Sequence, residues 1–349
     1  MLMALLVTPP GSGGIAVIQV VGRDAAKAVQ AKFSRPLPKP GELAVGRLVD
    51  EVVVRVIPAR ESIVKEPTVE VACHGGAAPE AVLAALRARP ITFEALLDRA
   101  VAARKIDRIR AEAHLALPKT LTALGARVIQ EQADGAFTKT NLKGLLATAP
   151  FGLALTEPPR IAIVGRANVG KSTLFNALVA HERALVSPVA GTTRDPVDEV
   201  IAIREVPVRL IDTAGLLPDG VGHGLLEQLS LERTREEIER ADLILLVRDA
   251  TAPDSVEERA FERWAGARKS LVVYNKLDLT QGFAKRIGVS ATSGHGLDRL
   301  RASMLRALGV RIPKRGSAVV FTRRQRTLLE AFEAGARGRE IARRLIWDR

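Results

Sequence analysis

Three scarcities in this 349-residue sequence exclude whole classes of protein. The single cysteine, Cys73, rules out an intramolecular disulfide framework and is typical of a chain kept in a reducing compartment. Aromatic residues make up only 3% of the chain, which argues against the base-stacking surfaces of single-strand nucleic-acid binders. No apolar run approaches the length of about 20 residues that crosses a bilayer, and the short apolar stretch Leu2–Val7 lacks the basic residues of a signal peptide. We therefore expect a cytoplasmic protein of two or three domains.

Positive charge is present in excess and is concentrated near the end of the sequence. The formal net charge is +13, and residues 311–349 contain 11 Lys and Arg against 4 Asp and Glu. Such a segment attracts phosphate backbones without reading their sequence, but it is equally typical of a solvated helical face. RNA is therefore one candidate partner of this segment, and the composition leaves both interpretations open.

Hydrophobic patterning divides the chain into four blocks. Residues 1–92 contain short β-branched runs that predict an α+β domain, and residues 93–157 are rich in helix formers. Residues 158–292 alternate buried-strand runs with helical patterns, which predicts a mostly parallel sheet with helices on both faces. Residues 293–349 are predicted to form a basic helical segment. Strands are predicted at Ile15–Val21, Val52–Ile57, Thr68–Ala72, Ile161–Val164, Val208–Ile211, Leu243–Val247 and Leu271–Tyr274.

A glycine-rich motif follows the run Ile161–Val164. Residues 165–172 read GRANVGKS and match the P-loop pattern G-x-x-x-x-G-K-[ST] between a predicted strand and a predicted helix over Thr173–Val179. Its N–H groups and the helix N-terminus favour phosphate. Lys171 would reach the β- and γ-phosphates, and the Ser172 hydroxyl would bind Mg²⁺. The predicted phosphate-binding residues are Asn168, Val169, Gly170, Lys171, Ser172 and Thr173.

Segments after three further strands identify the nucleotide. The DTAG segment places the Asp212 carboxylate near the Mg²⁺ shell and the Gly215 N–H near the γ-phosphate. The NKLD segment supplies Asn275, Lys276 and Asp278. The Asp278 carboxylate can accept hydrogen bonds from guanine N1–H and N2–H₂, a donor pair that adenine lacks, so GTP is predicted over ATP. The backbone N–H groups of Ser290 and Ala291 are expected at guanine O6. A Rossmann dinucleotide site is the competing interpretation, but no G-x-G-x-x-G opens a helix here.

A loop between Ser172 and Asp212 reads AGTTRD over residues 190–195. A threonine in this position can close over Mg²⁺ when the γ-phosphate is present and release it after hydrolysis. We predict Thr193 as the second Mg²⁺ ligand beside Ser172, although Gly-Thr-Thr is also ordinary loop chemistry.

These motifs resemble one branch of the P-loop GTPases. The loop AGTTRD, Asn168 within the P-loop and the DTAG and NKLD segments are similar to the TrmE–Era–EngA branch. The flanks resemble the MnmE (TrmE) family of tRNA modification GTPases. The resemblance covers most of residues 4–113 and 158–332 and implies a helical domain built from segments on both sides of the GTPase domain. The flanking motifs are TPPGSGGIAVI from Thr8, VEVACHGG over Val69–Gly76, Arg99-Ala100, Lys105-Ile-Asp107 and Ala111–Ala113.

The resemblance also implies a mechanism. In that family GTP hydrolysis is Mg²⁺-dependent and stimulated by K⁺, and the GTPase domains of a homodimer meet across their nucleotide faces. Transferred to this sequence, the catalytic pair would be Glu227 and Lys171. Glu227 follows a long glycine-rich loop, and a solvated carboxylate in the first helical turn is the alternative. The K⁺ ligands would be Asn168, Ser187, Val189 and Thr192.

The family binds a folate one-carbon donor and, with the flavoprotein MnmG, modifies a tRNA wobble uridine. Glu70 and Lys105 are the candidate folate contacts here, and both are equally consistent with surface charges. Gln19 stands where the family has an arginine, so we expect weak or absent folate binding.

Other segments also depart from the family pattern. The family's F-L-N-G is replaced by Val101–Arg104, the helical region between Ala113 and Pro158 is shortened, and the sequence ends Leu345–Arg349 rather than in C-x-G-K. Two hypotheses follow. The protein is an MnmE-like GTPase in tRNA modification, or it is a diverged paralogue that acts as a GTP-dependent switch on RNA or ribosomes.

Overall fold

A computed structural model describes residues 2–8, 14–137, 142–181, 198–213, 232–265, 268–281 and 287–348. The chain divides into two compact units, residues 1–115 with 342–349 and residues 116–341. The boundaries of the four blocks inferred from the sequence stay a prediction. Among the helices that the structure describes, none combines the length and the apolar character needed to span a membrane.

The first unit contains one six-stranded sheet. Its strands are β1 (Met3–Leu6), β2 (Ile15–Val21), β3 (Leu43–Arg47), β4 (Glu51–Ile57), β5 (Thr68–His74) and β6 (Arg89–Pro90). The order is β3-β4-β5-β2-β1-β6, antiparallel except for the β1–β6 pair. Helices α1 (Ala25–Gln30), α2 (Ala78–Leu86), α3 (Phe93–Ala102) and α4 (Arg108–Ala116) follow or interrupt these strands.

The two faces of this sheet differ because side chains alternate along each strand. One face is a hydrophobic core that includes Ile18, Val54 and Val71 and packs against residues of α1 and α2. Along β5 the alternation buries Cys73 and leaves His74 exposed. Cys73 and His74 therefore face opposite sides of the sheet. Burial also raises the pKa of the Cys73 thiol, so Cys73 is a core residue rather than a nucleophile.

The second unit contains the sheet of the predicted GTPase domain. Its strands are β7 (Arg160–Val164), β8 (Asp198–Ile203), β9 (Val206–Asp212), β10 (Leu243–Asp249), β11 (Ser270–Asn275) and β12 (Ile287–Gly288). Their order is β12-β11-β10-β7-β9-β8, and every neighbouring pair is parallel except β8–β9. Helices α7 (Lys171–His181), α8 (Glu232–Arg240), α9 (Val256–Ala265) and α10 (Leu297–Ala307) cover the sheet. The predicted mostly parallel α/β fold is confirmed.

Helical segments from both sides of the GTPase domain pack together. They include α5 (Ala123–Ala133), α6 (Ala149–Ala154) and α11 (Arg323–Glu333), and α12 (Gly338–Trp347) follows. The buried Gln132 amide of α5 donates to the carbonyl oxygen of Ser317 and accepts from the N–H of Val319. A Cβ at Gly152 would lie 2.1 Å from the carbonyl oxygen of Val320, so α6 touches the same segment. The implied helical region built from two distant parts of the chain is confirmed.

Candidate nucleotide-binding site

The predicted nucleotide residues meet at one edge of the GTPase sheet. The P-loop follows β7, Asp212 ends β9, Asn275 ends β11 and Ser290 follows β12. Because these strands are parallel, their carboxyl ends share an edge, which is where open α/β sheets bind ligands. Asp212 is in register with Ile163, two residues before the P-loop.

The P-loop has a backbone that few residue types adopt. Asn168 has φ +62° and Gly170 has φ +89°, the left-handed region that glycine and asparagine tolerate best. A Cβ at Gly165 would lie 2.4 Å from the carbonyl oxygen of Val247 on β10. The glycines of the motif are therefore required both by the turn and by the close approach of neighbouring strands.

Lys171 is buried at the first position of α7, with 5% of its surface exposed. Its ammonium donates 2.8 Å hydrogen bonds to the carbonyl oxygens of Gly165 and Arg166. Burial lowers the pKa of Lys171, and the nearby Asp212 carboxylate opposes that shift. Ser172 and Thr173 are exposed beside it, at a helix N-terminus whose first turn holds no acidic residue. This arrangement favours an anion.

Asp212 is positioned by the residue that follows it. The buried Thr213 hydroxyl donates a 2.7 Å hydrogen bond to the carbonyl oxygen of Ile163, which fixes the end of β9 against β7. Asp212 itself is 6% exposed. Its carboxylate therefore lies at the base of the P-loop, close enough to act on the charge of Lys171.

Asn275 joins the phosphate and base ends of the site. Its Nδ2 donates to the carbonyl oxygen of Val169 at 3.0 Å, and its Oδ1 accepts from the N–H of Ala291 at 3.0 Å. A Cβ at Gly170 would lie 2.3 Å from the same Nδ2. Asn275 thus holds the P-loop and the segment after β12 in one arrangement.

The rest of the NKLD segment forms a turn that presents Asp278 to solvent. Lys276 has φ +65°, and its ammonium lies 2.6 Å from the Asp249 carboxylate at the end of β10. Burial acts to raise the pKa of Asp249, but hydrogen bonds from Lys276 and Thr251 hold that pKa below its ordinary value. Asp278 is exposed in the 3₁₀ turn Leu277–Leu279.

The segment after β12 lies beside Asn275. Ser290 is 1% exposed, and its N–H donates to the carbonyl oxygen of His295. The N–H of Ala291 donates to Asn275. Both N–H groups have protein partners here, so their contact with guanine O6 stays a prediction.

Several predicted residues lie outside the described part of the chain: Ser187, Val189, Thr192, Thr193, Gly215 and Glu227. Sequence reasoning missed Asp249, which holds Lys276. The sequence contained a signal for it, because Asp249 comes two residues after the predicted strand Leu243–Val247. Neighbouring parallel strands bring the residues at their carboxyl ends together.

The two candidate folate contacts of the first unit have different surroundings. The Glu70 carboxylate accepts a 3.1 Å hydrogen bond from Gln19, and both residues line a cavity of about 240 Å³ with Arg55. The Lys105 ammonium instead pairs with the buried Glu66 carboxylate at 2.6 Å. Lys105 does not line the cavity that Glu70 lines.

Comparison with known proteins places the chain in a family. Residues 2–98 match the family model of the GTP-binding protein TrmE N-terminus, and residues 160–276 match that of the 50S ribosome-binding GTPases. The tRNA modification GTPase MnmE of Chloroflexus aurantiacus is 32% identical, covering 88% of this chain and 81% of its own. MnmE of Azoarcus sp. is 33% identical, covering 95% and 86%. A structure of Aquifex aeolicus Era bound to GDP·AlF₄⁻ is 26% identical over 44% of this chain and 57% of its own, with a TM-score of 0.33. On the extent of its similarity to the two relatives, this chain belongs to the MnmE family of tRNA modification GTPases.

Proposed function

We propose that this protein binds GTP with Mg²⁺, hydrolyses it, and uses the hydrolysis in tRNA modification. The observation that carries the proposal is the bridge by Asn275, which joins a complete P-loop to the base-recognition segments at one sheet edge. The alternative of a diverged switch without modification chemistry is not favoured, because the relatives extend over the N-terminal domain as well as the GTPase domain.

The residues present fit a phosphoryl-transfer site. The ammonium of Lys171, held by two carbonyl oxygens, can exchange these for phosphate oxygens and balance charge that grows on the leaving group. The Ser172 hydroxyl and the Asp212 carboxylate are the hard oxygen donors that Mg²⁺ prefers, and the ion would neutralise the β- and γ-phosphates. We further propose Thr193 as a Mg²⁺ ligand, the Gly215 N–H as a γ-phosphate donor and Glu227 as the residue that orients water.

Preference for guanine tests this proposal directly. We expect calorimetry to show much tighter binding of GTP than of ATP. The variant Asp278→Asn turns a carboxylate acceptor into a group that can donate, so its preference should move toward xanthosine nucleotides. Asp134→Asn, an exposed residue at the end of α5, is the matched control. Equal affinity of the wild type for GTP and ATP would exclude the proposed function.

A monovalent cation completes the proposed mechanism. The side chain of Asn168 is exposed at the P-loop turn, where its carbonyl oxygen can bind K⁺. Ser187, Val189 and Thr192 are proposed to supply the remaining ligands. The ion would provide the positive charge that other GTPases receive from an arginine.

We also propose that the chain works as a homodimer through its N-terminal sheet. An apolar row crosses the sheet face opposite the core, because Val45, Val53, Ala72 and Val17 are in register on four adjacent strands. Val45 is 50% exposed. Val45→Glu should shift sedimentation of the full chain toward monomer, and Val49→Glu, at 49% exposure outside the row, should not. A wild type that sediments as a monomer at tens of micromolar would contradict the dimer.

The proposed substrate is a tRNA wobble uridine, and the proposed partner is an MnmG-like flavoprotein. Basic side chains exposed on α12, namely Arg339, Arg343 and Arg344, can contact RNA phosphates. We expect this chain to restore the modified nucleoside, measured by mass spectrometry of tRNA from a strain lacking MnmE, only together with its own flavoprotein partner. Restoration by the chain alone would contradict the requirement for that partner.

Glu70, Gln19 and Lys105 of the N-terminal domain fit a folate poorly. The cavity beside Glu70 is about 240 Å³, below the roughly 300–1,000 Å³ of typical ligand pockets. Gln19 supplies an amide where a carboxylate ligand would favour a cation, and Lys105 is engaged by Glu66. We therefore propose that a folate one-carbon donor binds weakly, and calorimetry with a reduced folate tests this directly.

A further inference from the structure

Arg248 occupies a place in β10 where the neighbouring side chains are aliphatic. Alternation puts it on the same strand face as Ile244 and Leu246, which are buried in a hydrophobic cluster with Phe261 of α9. The Arg248 side chain is only 3% exposed. A guanidinium in such surroundings is retained only when it is paired, because an unpaired buried charge is strongly unfavourable.

Four groups surround this guanidinium. Nη1 donates to the Asp254 carboxylate at 2.8 Å and to the Tyr274 hydroxyl at 3.2 Å. Nη2 donates to the Glu262 carboxylate at 2.8 Å and to the carbonyl oxygen of Glu258 at 3.3 Å. The Tyr274 hydroxyl also donates to Asp254, at 3.0 Å. We call Arg248, Asp254, Tyr274 and Glu262 the Arg248 clamp.

On both strands the Arg248 clamp lies one residue before the strand end that contacts the NKLD segment or begins it. Arg248 is in register with Tyr274, and the next residues, Asp249 and Asn275, are in register with each other. The N–H of Ala250 then donates to the carbonyl oxygen of Asn275 at 2.9 Å. A displacement of the paired strand ends at the clamp therefore displaces Asp249 and Asn275 directly.

The loop from Asp249 to Asp254 is fastened at both ends. Asp249 binds the Lys276 ammonium and the N–H and hydroxyl of Thr251. Asp254 binds Arg248 and Tyr274. An aliphatic residue at position 248 could fill the space, but it would leave the Asp254 end of this loop without its charged partner.

We propose that the Arg248 clamp determines guanine specificity by positioning Lys276 and Asp278 through Asp249 and Asn275. Arg248 is then a positioning residue, since its guanidinium is engaged by Asp254, Tyr274 and Glu262 of α9 and would act on the site only through neighbouring residues. This proposal rests on the proposed binding of GTP. It adds that guanine specificity requires the Arg248 clamp as well as the NKLD segment.

The test uses a variant that removes both charges together, Arg248→Met with Asp254→Asn, because this leaves no unpaired carboxylate at Asp254. Calorimetry measures the affinity of the full chain for GDP and for inosine diphosphate, which lacks the 2-amino group. We expect the preference for GDP to fall about tenfold, the effect of one hydrogen bond to a charged group. Tyr274→Phe removes a single hydroxyl and should lower the preference by a smaller factor.

The matched control is another ion pair of the same sheet. Arg209 and Asp198 pair at 2.8 Å between β8 and β9, so Arg209→Met with Asp198→Asn should keep the GDP preference. A general structural role of Arg248 would lower the thermal midpoint without changing the ratio of the two affinities. If the wild type prefers GDP and the folded clamp variants keep the same ratio of GDP to inosine diphosphate affinity, the clamp proposal is overturned and the GTP assignment stands. A wild type without GDP preference instead overturns the GTP assignment, and the clamp proposal with it.

Discussion

The side-chain amide of Asn275 donates a 3.0 Å hydrogen bond to the carbonyl oxygen of Val169, which lies 106 residues earlier in the chain. Its oxygen accepts from Ala291, so a single 3% exposed side chain connects the ends of two strands and the P-loop. The geometry of the phosphate site and of the base site is therefore shared.

Asn275→Ala should weaken the fold and the nucleotide site together. The change leaves the Val169 carbonyl and the Ala291 N–H without this partner, at a cost of about 1–3 kcal/mol for each buried group. We expect a lower thermal midpoint without nucleotide and at least ~10-fold weaker GDP binding by calorimetry. Asn176→Ala, an exposed asparagine on α7, is the control. Wild-type GDP affinity in Asn275→Ala would show that the bridge is dispensable.

Gly170→Ala should abolish nucleotide binding for a geometric reason. Gly170 has φ +89°, and an added Cβ would lie 2.3 Å from the Asn275 amide nitrogen. Gly144→Ala is a matched control, because Gly144 has φ +76° but no atom within 4 Å of the added Cβ. Both variants should lose about 1 kcal/mol to backbone strain, measured by denaturant unfolding. Only Gly170→Ala should lose GDP binding, and equal loss in both would attribute the effect to backbone strain alone.

Regular hydrophobic runs made most of the GTPase sheet predictable. Runs such as Leu243–Val247 and Leu271–Tyr274 are continuous and buried, and they lie within β10 and β11. The strands β3 and β8 were not predicted, because edge strands are partly exposed and carry a mixed pattern. Within the helical block predicted over residues 93–157, α3 and α4 are separated by a turn where Arg104 has φ +53°. Single residues in such turns carry little sequence signal.

The site shows the same limit at the level of side chains. The P-loop was predictable because its residues are consecutive and their spacing carries the chemistry. The pairing of Lys276 with Asp249 and the Arg248 clamp were not, because each joins a residue of β10 to residues on or beyond the next strand. Such contacts depend on strand order and register, which local patterns do not specify.

The His74 imidazole should titrate above its ordinary range. Its Nδ1 lies 2.6 Å from the Asp50 carboxylate, and that hydrogen bond raises the pKa of His74 and lowers the pKa of Asp50. NMR titration should give His74 a midpoint above about 6.5. Asp50→Asn should return the midpoint to its ordinary value, whereas Asp24→Asn should not. A midpoint near 6.5 in the wild type would contradict the pairing.

The same pair predicts the pH dependence of stability. Because folding raises the pKa of His74, the pairing contributes its full stability below the unfolded pKa of about 6.5. That stability is lost as pH rises through the folded pKa. Because folding lowers the pKa of Asp50, the pairing contributes stability above the unfolded pKa of about 3.9. That stability is lost as pH falls through the folded pKa. The stability difference between wild type and Asp50→Asn should therefore be largest between about pH 4 and 6.5. A difference that grew above pH 8 in denaturant unfolding would contradict this sign.

Hydrolysis should require K⁺ rather than an external arginine. Phosphoryl transfer needs positive charge near the leaving group, and an arginine finger is worth roughly 10³–10⁵ in rate. Asn168, exposed at φ +62° in the P-loop turn, offers a neutral carbonyl oxygen that can hold a cation in that position. GTP turnover should therefore be at least ~10-fold faster in KCl than in NaCl at matched ionic strength, because Na⁺ is too small for a site sized to K⁺. Asn168→Gly removes the oxygen and tolerates the positive φ, so it should abolish the K⁺ effect without straining the loop. Asn176→Ala should retain the effect. Equal wild-type turnover in both salts would rule out the cation and direct attention to Arg166, which lies beside the site on the P-loop.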